Sequence, residues 1–227
     1  MHSGTAKPVG SGAAPKPARG AVAPALRFTE ALSGYMAAAG DHEAGYRAGR
    51  AAGAHVRYRA TARIDDLESF LRDPQHGADM TGVVDVVGLG RGMPIEEGRI
   101  ELFCRREGLP AGQAGRKTIA YYLPFRQGER RYLLRGEKHI QDDSGFDVWK
   151  DMTTLYAELL DLSSAPDSRQ TPVAPIAVGV LRIGPLSALR MLFTFRGAGV
   201  RSTAGAALRF LLFASRELRD TYGLLPW

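Results

Sequence analysis

The segment Val56-Arg57-Tyr58-Arg59-Ala60-Thr61-Ala62-Arg63-Ile64 puts an apolar residue at every even position and Arg or Thr at every odd one. A period of two describes a strand with one face buried and the other in water. Its wet face carries Arg57, Arg59 and Arg63, a cationic row whose ordinary role is solvation and edge protection. Asp65-Asp66-Leu67-Glu68-Ser69-Phe70-Leu71 follows at once. Either aspartate can cap a short helix with an acidic first turn, which the helix dipole favours. Leu67, Phe70 and Leu71 then share one face, and Asp73-Pro74 ends the helix, near 65–73.

Further strand patterns recur at turn-punctuated intervals: Leu26–Tyr35, Thr81–Leu89, Ile95–Cys104, Lys117–Arg126, Arg131–Ile140, Val148–Leu159 and Ile176–Ile183. YYLPFRQGERRYLLRG reads as a hairpin around Gln127-Gly128, with Pro124 moving its first strand to an edge or a bulge. About eight short strands without long helices between them predict an antiparallel β-barrel or β-sandwich, not a parallel α/β sheet.

The 227 residues suit one domain with appendages, and a hydrophobic fraction of 44% supports a sizeable core. The single cysteine, Cys104, excludes an internal disulfide, and a reducing compartment follows as the simpler expectation. No uninterrupted apolar run reaches the roughly 18 residues of a spanning helix, and the N-terminus has no secretory apolar core. The expected location is cytoplasmic, with a peripheral membrane contact as the extension of that reading.

Charge divides the chain more clearly than composition does. Residues 1–25 carry Lys7, Lys16 and Arg19 and no acid, in an Ala/Gly/Pro/Lys arm that reads as flexible. Residues 182–227 carry seven arginines against Glu217 and Asp220, while residues 26–181 are slightly acidic. A basic pI that belongs to the two ends argues against a nucleic-acid-binding face on the body. Three parts are expected: the arm 1–25, a β domain 26–183, and an apolar basic tail 184–227. In that tail Leu208, Leu211, Leu212, Leu218 and Tyr222 recur at helical spacing; Phe210 and Phe213 widen the face. Arg209, Arg216 and Arg219 occupy the remainder. Such a helix can lie in a membrane interface, or pack on the β domain or a partner; Arg209, Phe210, Phe213, Arg216 and Arg219 are its candidate contacts.

No catalytic residues, metal ligands or cofactors are predicted. VVDVVGLGRGMP has the glycines of a dinucleotide turn, but Met93-Pro94 leads into another strand instead of a helix, so a β–β turn is expected. There is no G-x-S-x-G elbow, and Cys104 falls in phase with Ile100 and Leu102 as a core thiol would. The five histidines lack ligand spacing; only His139 sits in a polar cluster, Glu137-Lys138-His139. In the segment 147–156, read as a strand, Trp149, Asp151 and Thr153 share one face, and Tyr156 lies on the other. Glu137, Lys138, His139, Trp149, Asp151, Thr153 and Tyr156 are therefore the ligand-binding candidates, against the alternative of a hydrogen-bond network that fixes register.

Five stretches, LRFTEALSGY, ATARIDDLESFLRDPQHGADMTGVV, MPIEEGRIELF, RYLLRGEKHIQDDSGFDVWKDMTTLY and GVLRIGPLSALRMLFTFR, together span Leu26 to Arg196. In order, they resemble an accessory domain attached to certain bacterial cholesterol-oxidase-like flavoproteins of the GMC oxidoreductase family. The flavin domain and its catalytic histidine have no counterpart here. The resemblance thus implies a sterol- or lipid-metabolic neighbourhood and gives no warrant for oxidase activity by this chain. Three functions are expected from it and from the tail. The first is a non-catalytic lipid-associated or partner-binding domain beside a flavoprotein oxidoreductase or lipase. The second is a small barrel enzyme or carrier that holds an apolar molecule inside. The third is a homo-oligomer formed through the C-terminal helix.

Overall fold

The computed structural model describes residues 25–105, 117–141, 148–163, 173–184, 194–197 and 200–222. The arm expected over residues 1–25 falls almost wholly outside these residues, as does most of the Leu186–Phe195 stretch. Nine strands form one antiparallel sheet: β1 (Leu26–Ala37), β2 (His55–Ile64), β3 (Gly77–Val86), β4 (Gly90–Pro94), β5 (Gly98–Arg105), β6 (Lys117–Gln127), β7 (Arg130–Ile140), β8 (Thr154–Asp161) and β9 (Ala177–Arg182). The order β2-β1-β9-β8-β7-β6-β5-β3 closes when β3 pairs back onto β2, from Val56↔Val86 to Arg63↔Asp79. The result is a closed eight-stranded barrel. β4 stands outside the closure. It pairs with the end of β3, beyond the point where β5 has left that strand. The turn joining β3 to β4 holds Gly88 at φ 88°, and Gly92 in β4 lies at φ 64°. These are left-handed conformations for which glycine carries little steric penalty.

Eight strands enclose a lumen just wide enough for side chains to fill. The alternation read in the sequence delivers them: Tyr58, Ala60, Ala62 and Ile64 of β2 point inward and are buried. Leu26, Phe28 and Leu32 of β1, Ile119, Tyr121, Leu123 and Phe125 of β6, and Tyr132 and Leu134 of β7 join them in one continuous core. Arg57, Arg59 and Arg63 face water as expected; β2, however, is paired on both sides, so the row does not protect an edge.

β6 is likewise flanked by two strands. Its ladder with β7 runs from Lys117↔Ile140 to Gln127↔Arg130, and its ladder with β5 extends up to Tyr122↔Arg99. Pro124, expected at an edge or bulge, sits beyond the end of the β5 ladder, where the carbonyl of Pro124 accepts the Glu96 N–H at 2.8 Å. Between Glu101 and Cys104 the β5–β6 register shifts, and Phe103 takes φ 52°. The bulge breaks the phase from Ile100 to Cys104. The thiol is buried beside Thr118 and lies outside the continuous core.

Among the described residues, four helices decorate the barrel: α1 (His42–Ala51), α2 (Leu67–Arg72), α3 (Val148–Thr153) and α4 (Val200–Tyr222). α2 is capped by Asp66, whose carboxylate accepts the Glu68 N–H at 2.9 Å and the Ser69 hydroxyl at 2.6 Å. α3 corrects the expectation of a strand over Val148–Leu159; the strand β8 begins only at Thr154. The Thr153 hydroxyl donates to the Trp149 carbonyl at 2.6 Å, and the Asp151 carboxylate accepts the Tyr222 hydroxyl. These tertiary and local bonds select a helical turn in a short run whose periodicity fits either structure.

α1 was not signalled by apolar periodicity. Asp41 caps it by accepting the Ala44 N–H at 2.7 Å, and it lies across the outside of β1 and β9. Contact is close because Gly45 and Gly49, one turn apart, present no side chain to the sheet. A Cβ on Gly45 would lie 2.1 Å from the Val178 carbonyl oxygen.

α4 closes the barrel end at which β1, β3, β6 and β8 begin. Phe210 and Tyr222 are buried in the barrel's own core. Phe210 packs on Phe28, Phe70 and Phe195, with ring centroids 5.5–6.0 Å apart. Phe213 packs on Phe70, His76 and Phe103. β1 starts at this end, and the Arg27↔Arg196 bridge lies there. No helix among the described residues is long and apolar enough to cross a membrane.

Candidate functional site

The candidates on β7 do not converge, because neighbouring residues of a strand point to opposite faces. Glu137 and His139 lie on the outside of the barrel, and Lys138 lies inside it. Among the other candidates, Tyr156 joins the outer pair. Asp151 and Thr153 belong to α3 at the end plugged by α4, and Trp149 on the same helix is 57% exposed. A lining built from Asp151, His139, Lys138 and Glu137 together is therefore not present.

Outside, the sheet surface of β6, β7 and β8 meets the start of α1 in a cleft of about 330 Å³. Cross-strand pairing sets its floor. Tyr122, Arg135 and Glu158 form one row, and Glu137 and Tyr156 lie in the next. Arg135 Nε donates to Glu158 Oε2 at 2.6 Å, which holds the guanidinium by its inner nitrogen. His42, the first residue of α1, places Nε2 4.0 Å from the other oxygen of Glu158 and its ring edge-on to Tyr156. His139 stacks on the other side of the pocket, 5.2 Å from the Tyr156 centroid at 27°, with Nε2 3.8 Å from Glu137. At 3.8–4.0 Å the histidine–glutamate approaches are charge proximities and not hydrogen bonds.

Inside, Lys138 belongs to a second polar group. Glu30 of β1 is 4% exposed; the Tyr58 hydroxyl donates to its Oε1 at 2.8 Å and the Tyr121 hydroxyl to its Oε2 at 3.2 Å. Lys138 Nζ lies 3.7 Å from Glu30 Oε2 and 5.0 Å from the centre of the Tyr121 ring. Burial holds the Lys138 ammonium below the ordinary lysine value, opposed by the Glu30 charge. Burial first, and then the Glu30 charge, push the Tyr58 and Tyr121 phenols well above theirs. Every polar atom of the group is committed to another within a filled lumen. The arrangement fixes the packing of β1, β2, β6 and β7 and offers no surface to a substrate.

The end plugged by α4 carries a third set. Lys117, 2% exposed, donates from Nζ to the Glu217 backbone carbonyl and lies 2.8 Å from the Glu217 carboxylate. Arg209 pairs with Glu68 of α2, which holds the Glu68 carboxyl below its usual range. Of the expected membrane or partner contacts, Phe210 and Phe213 are turned onto the barrel. Leu218 and Tyr222 of the expected stripe pack inward with them, so the stripe is divided between the two faces. Leu208, Leu211 and Leu212 are left outward at 58%, 42% and 60% exposure, along with Arg209, Arg216 and Arg219.

Sequence reasoning missed His42, Tyr122, Arg135 and Glu158 in the cleft, and Glu30 and Lys117 in the interior. The interior pair was detectable in principle, as a charge standing at an inward position of an otherwise apolar alternation. The cleft was not, because His42 reaches it only through the packing of α1. Among the described residues, no cluster of three or more His, Cys, Asp or Glu has metal-site geometry. Comparison with protein-family models, curated proteins and solved structures finds no match.

Proposed function

We propose that this protein is a non-catalytic β-barrel that docks through α4 on an anionic lipid surface. The observation that carries the reading is the outward face of α4. A helix whose inner face already plugs the barrel still presents Leu208, Leu211 and Leu212 to solvent, continued one and two turns on by Arg216 and Arg219. Leucines in the acyl boundary with arginines at the headgroups is the pattern of an interfacial helix. Charge favours the same occupant. The sequence before β1 is basic, with Lys7, Lys16 and Arg19 and no acid, and β1 itself begins at the barrel end covered by α4. A juxtaposed cationic residue contributes about 1 kcal/mol at an anionic leaflet. The resemblance to an accessory domain of sterol-oxidising flavoproteins points to a sterol-bearing membrane as the setting.

Co-sedimentation of the full chain with vesicles of phosphatidylcholine, with and without phosphatidylglycerol and cholesterol, tests this. Binding is expected only to anionic vesicles. It should be abolished by replacing the three leucines with glutamine and weakened about 30-fold by Arg216→Gln with Arg219→Gln, on the basis of about 2 kcal/mol. Absence of binding to every vesicle sinks the reading. So does light scattering that shows a stable dimer dispersed by the leucine replacements, or a flavoprotein oxidoreductase that binds the same face while vesicles do not.

A further inference from the structure

We propose that the cleft between α1 and the outer face of β6–β8 is a binding site for a neutral sugar ring. The ring stacks on Tyr122, and its hydroxyls bridge the Arg135–Glu158 pair. The site is separate from the α4 face and does not depend on lipid docking.

The cleft holds about 330 Å³, at the small end of ligand pockets, which suits one pyranose ring. Its polar floor is a finished ion pair, in which Arg135 Nε donates to Glu158 Oε2 at 2.6 Å. A carboxylate ligand on Arg135 would stand against Glu158, and an ammonium on Glu158 would stand against Arg135. Either sets like charges side by side, so the pair selects against net charge of both signs. What the pair still offers is hydrogen bonds in both directions. Among the described residues, the two terminal nitrogens of Arg135 and Oε1 of Glu158 make none. Side by side, they require ligand groups that accept from one and donate to the other. A hydroxyl does both, and neighbouring hydroxyls on one ring supply the two at once. Hydrogen bonds to charged partners are also the strong ones, which a neutral polyol needs in exchange for its water.

Aromatic surface completes the match. Tyr122 stands in the same cross-strand row as Arg135 and Glu158 and is 37% exposed, which places its ring beside the pair. The axial C–H bonds of a pyranose give it an apolar face. Such bonds carry partial positive charge and pack on the negative face of an aromatic ring. Tyr156 walls the next row. His42 meets it edge-on at 5.7 Å and His139 stacks on it at 5.2 Å, so this wall is held in place before a ligand enters. Little ordering of the cleft then remains for the ligand to bring about.

Methyl glycosides of glucose, galactose, mannose and N-acetylglucosamine are the probes, titrated into the full chain while the ring NMR signals of Tyr122 and Tyr156 are followed. Benzoate and benzylammonium serve as charged rings of similar size. At least one glycoside is expected to shift both tyrosines, with a dissociation constant on the order of 1 mM for a ligand of so few atoms. Both charged rings should bind at least about tenfold more weakly. Tyr122→Thr, which keeps a strand-forming residue and removes the ring, should weaken the glycoside at least about fivefold. Glu158→Gln should weaken it about tenfold and at the same time confer affinity for benzoate, by releasing the Arg135 guanidinium. Both side chains lie on the outside of the barrel, so the melting temperature should stay near that of the parent chain. Silence of every glycoside at about ten times that constant, tighter binding of either charged ring, or glycoside affinity untouched by both replacements would each overturn the assignment.

Discussion

Replacing Glu30 by glutamine removes the carboxylate that faces Lys138, whose side chain is enclosed by the barrel. The amide has nearly the same shape as the carboxyl, and the Tyr58 and Tyr121 hydroxyls lie 2.8 and 3.2 Å from the two carboxylate oxygens. The amide oxygen can accept from one of them while the amide NH2 donates to the oxygen of the other. The packing and the hydrogen-bond count change little; what changes is that an ammonium at 2% exposure loses its counter-charge at 3.7 Å. Breaking a buried pair from one side costs about 3–5 kcal/mol, because the remaining charge must be neutralised or hydrated in place. Lys138→Met should cost less, since two phenols still solvate the Glu30 carboxylate. The double replacement should recover part of the Glu30→Gln loss, giving a coupling of about 1–3 kcal/mol. Urea unfolding of the four proteins of this cycle, followed by tryptophan fluorescence and far-ultraviolet dichroism, measures each term. If Glu30→Gln costs less than about 1 kcal/mol, or if the two single losses simply add, the ion pair has no energetic reality and the reasoning fails.

Alkaline pH should unfold the barrel through Tyr58 and Tyr121. Both phenols are raised in the folded state, so their contribution is intact below pH 10.0 and is lost as pH climbs. Two withheld ionisations give a slope of about 2.7 kcal/mol per pH unit. Lys138, lowered in the folded state, works the other way only up to its unfolded value of 10.5, above which the tyrosines govern. The tyrosinate absorbance should therefore show two phenols ionising only together with unfolding; full titration of a still-folded chain would contradict this. Glu217→Ala strips the carboxylate from buried Lys117 and should speed amide exchange in α4 before that of the strands, with uniform exchange as the contrary result. Gly45→Ala forces α1 off the Val178 carbonyl and should lower stability by about 1–3 kcal/mol. Gly205→Ala, where a Cβ meets nothing within 4 Å, should raise it by up to about 1 kcal/mol, so a like effect at both sites would refute the packing argument.

The residues themselves determined a good deal. The period of two from Val56 to Ile64, repeated along the chain, requires a sheet with one dry face, and the turn at Gln127-Gly128 joins two of its strands directly. Asp66 and Asp73 bound α2 where capping chemistry placed it. The charge division, too, is a property of the chain alone. Tertiary structure decided the rest, because closure, orientation and convergence depend on residues far apart. Barrel and sandwich share one alternation, and only the β2–β3 ladder makes this sheet a barrel. The C-terminal helix has apolar residues on more than one face. Which residues it buries is set by the rings of Phe28, Phe70 and Phe103 at the barrel end, so Phe210 and Phe213 go in while Leu208, Leu211 and Leu212 stay out. Glu137, Lys138 and His139 are adjacent in sequence, yet the pleat sends the middle one to Glu30 and the outer two to a cleft completed by His42, nearly a hundred residues earlier in the chain.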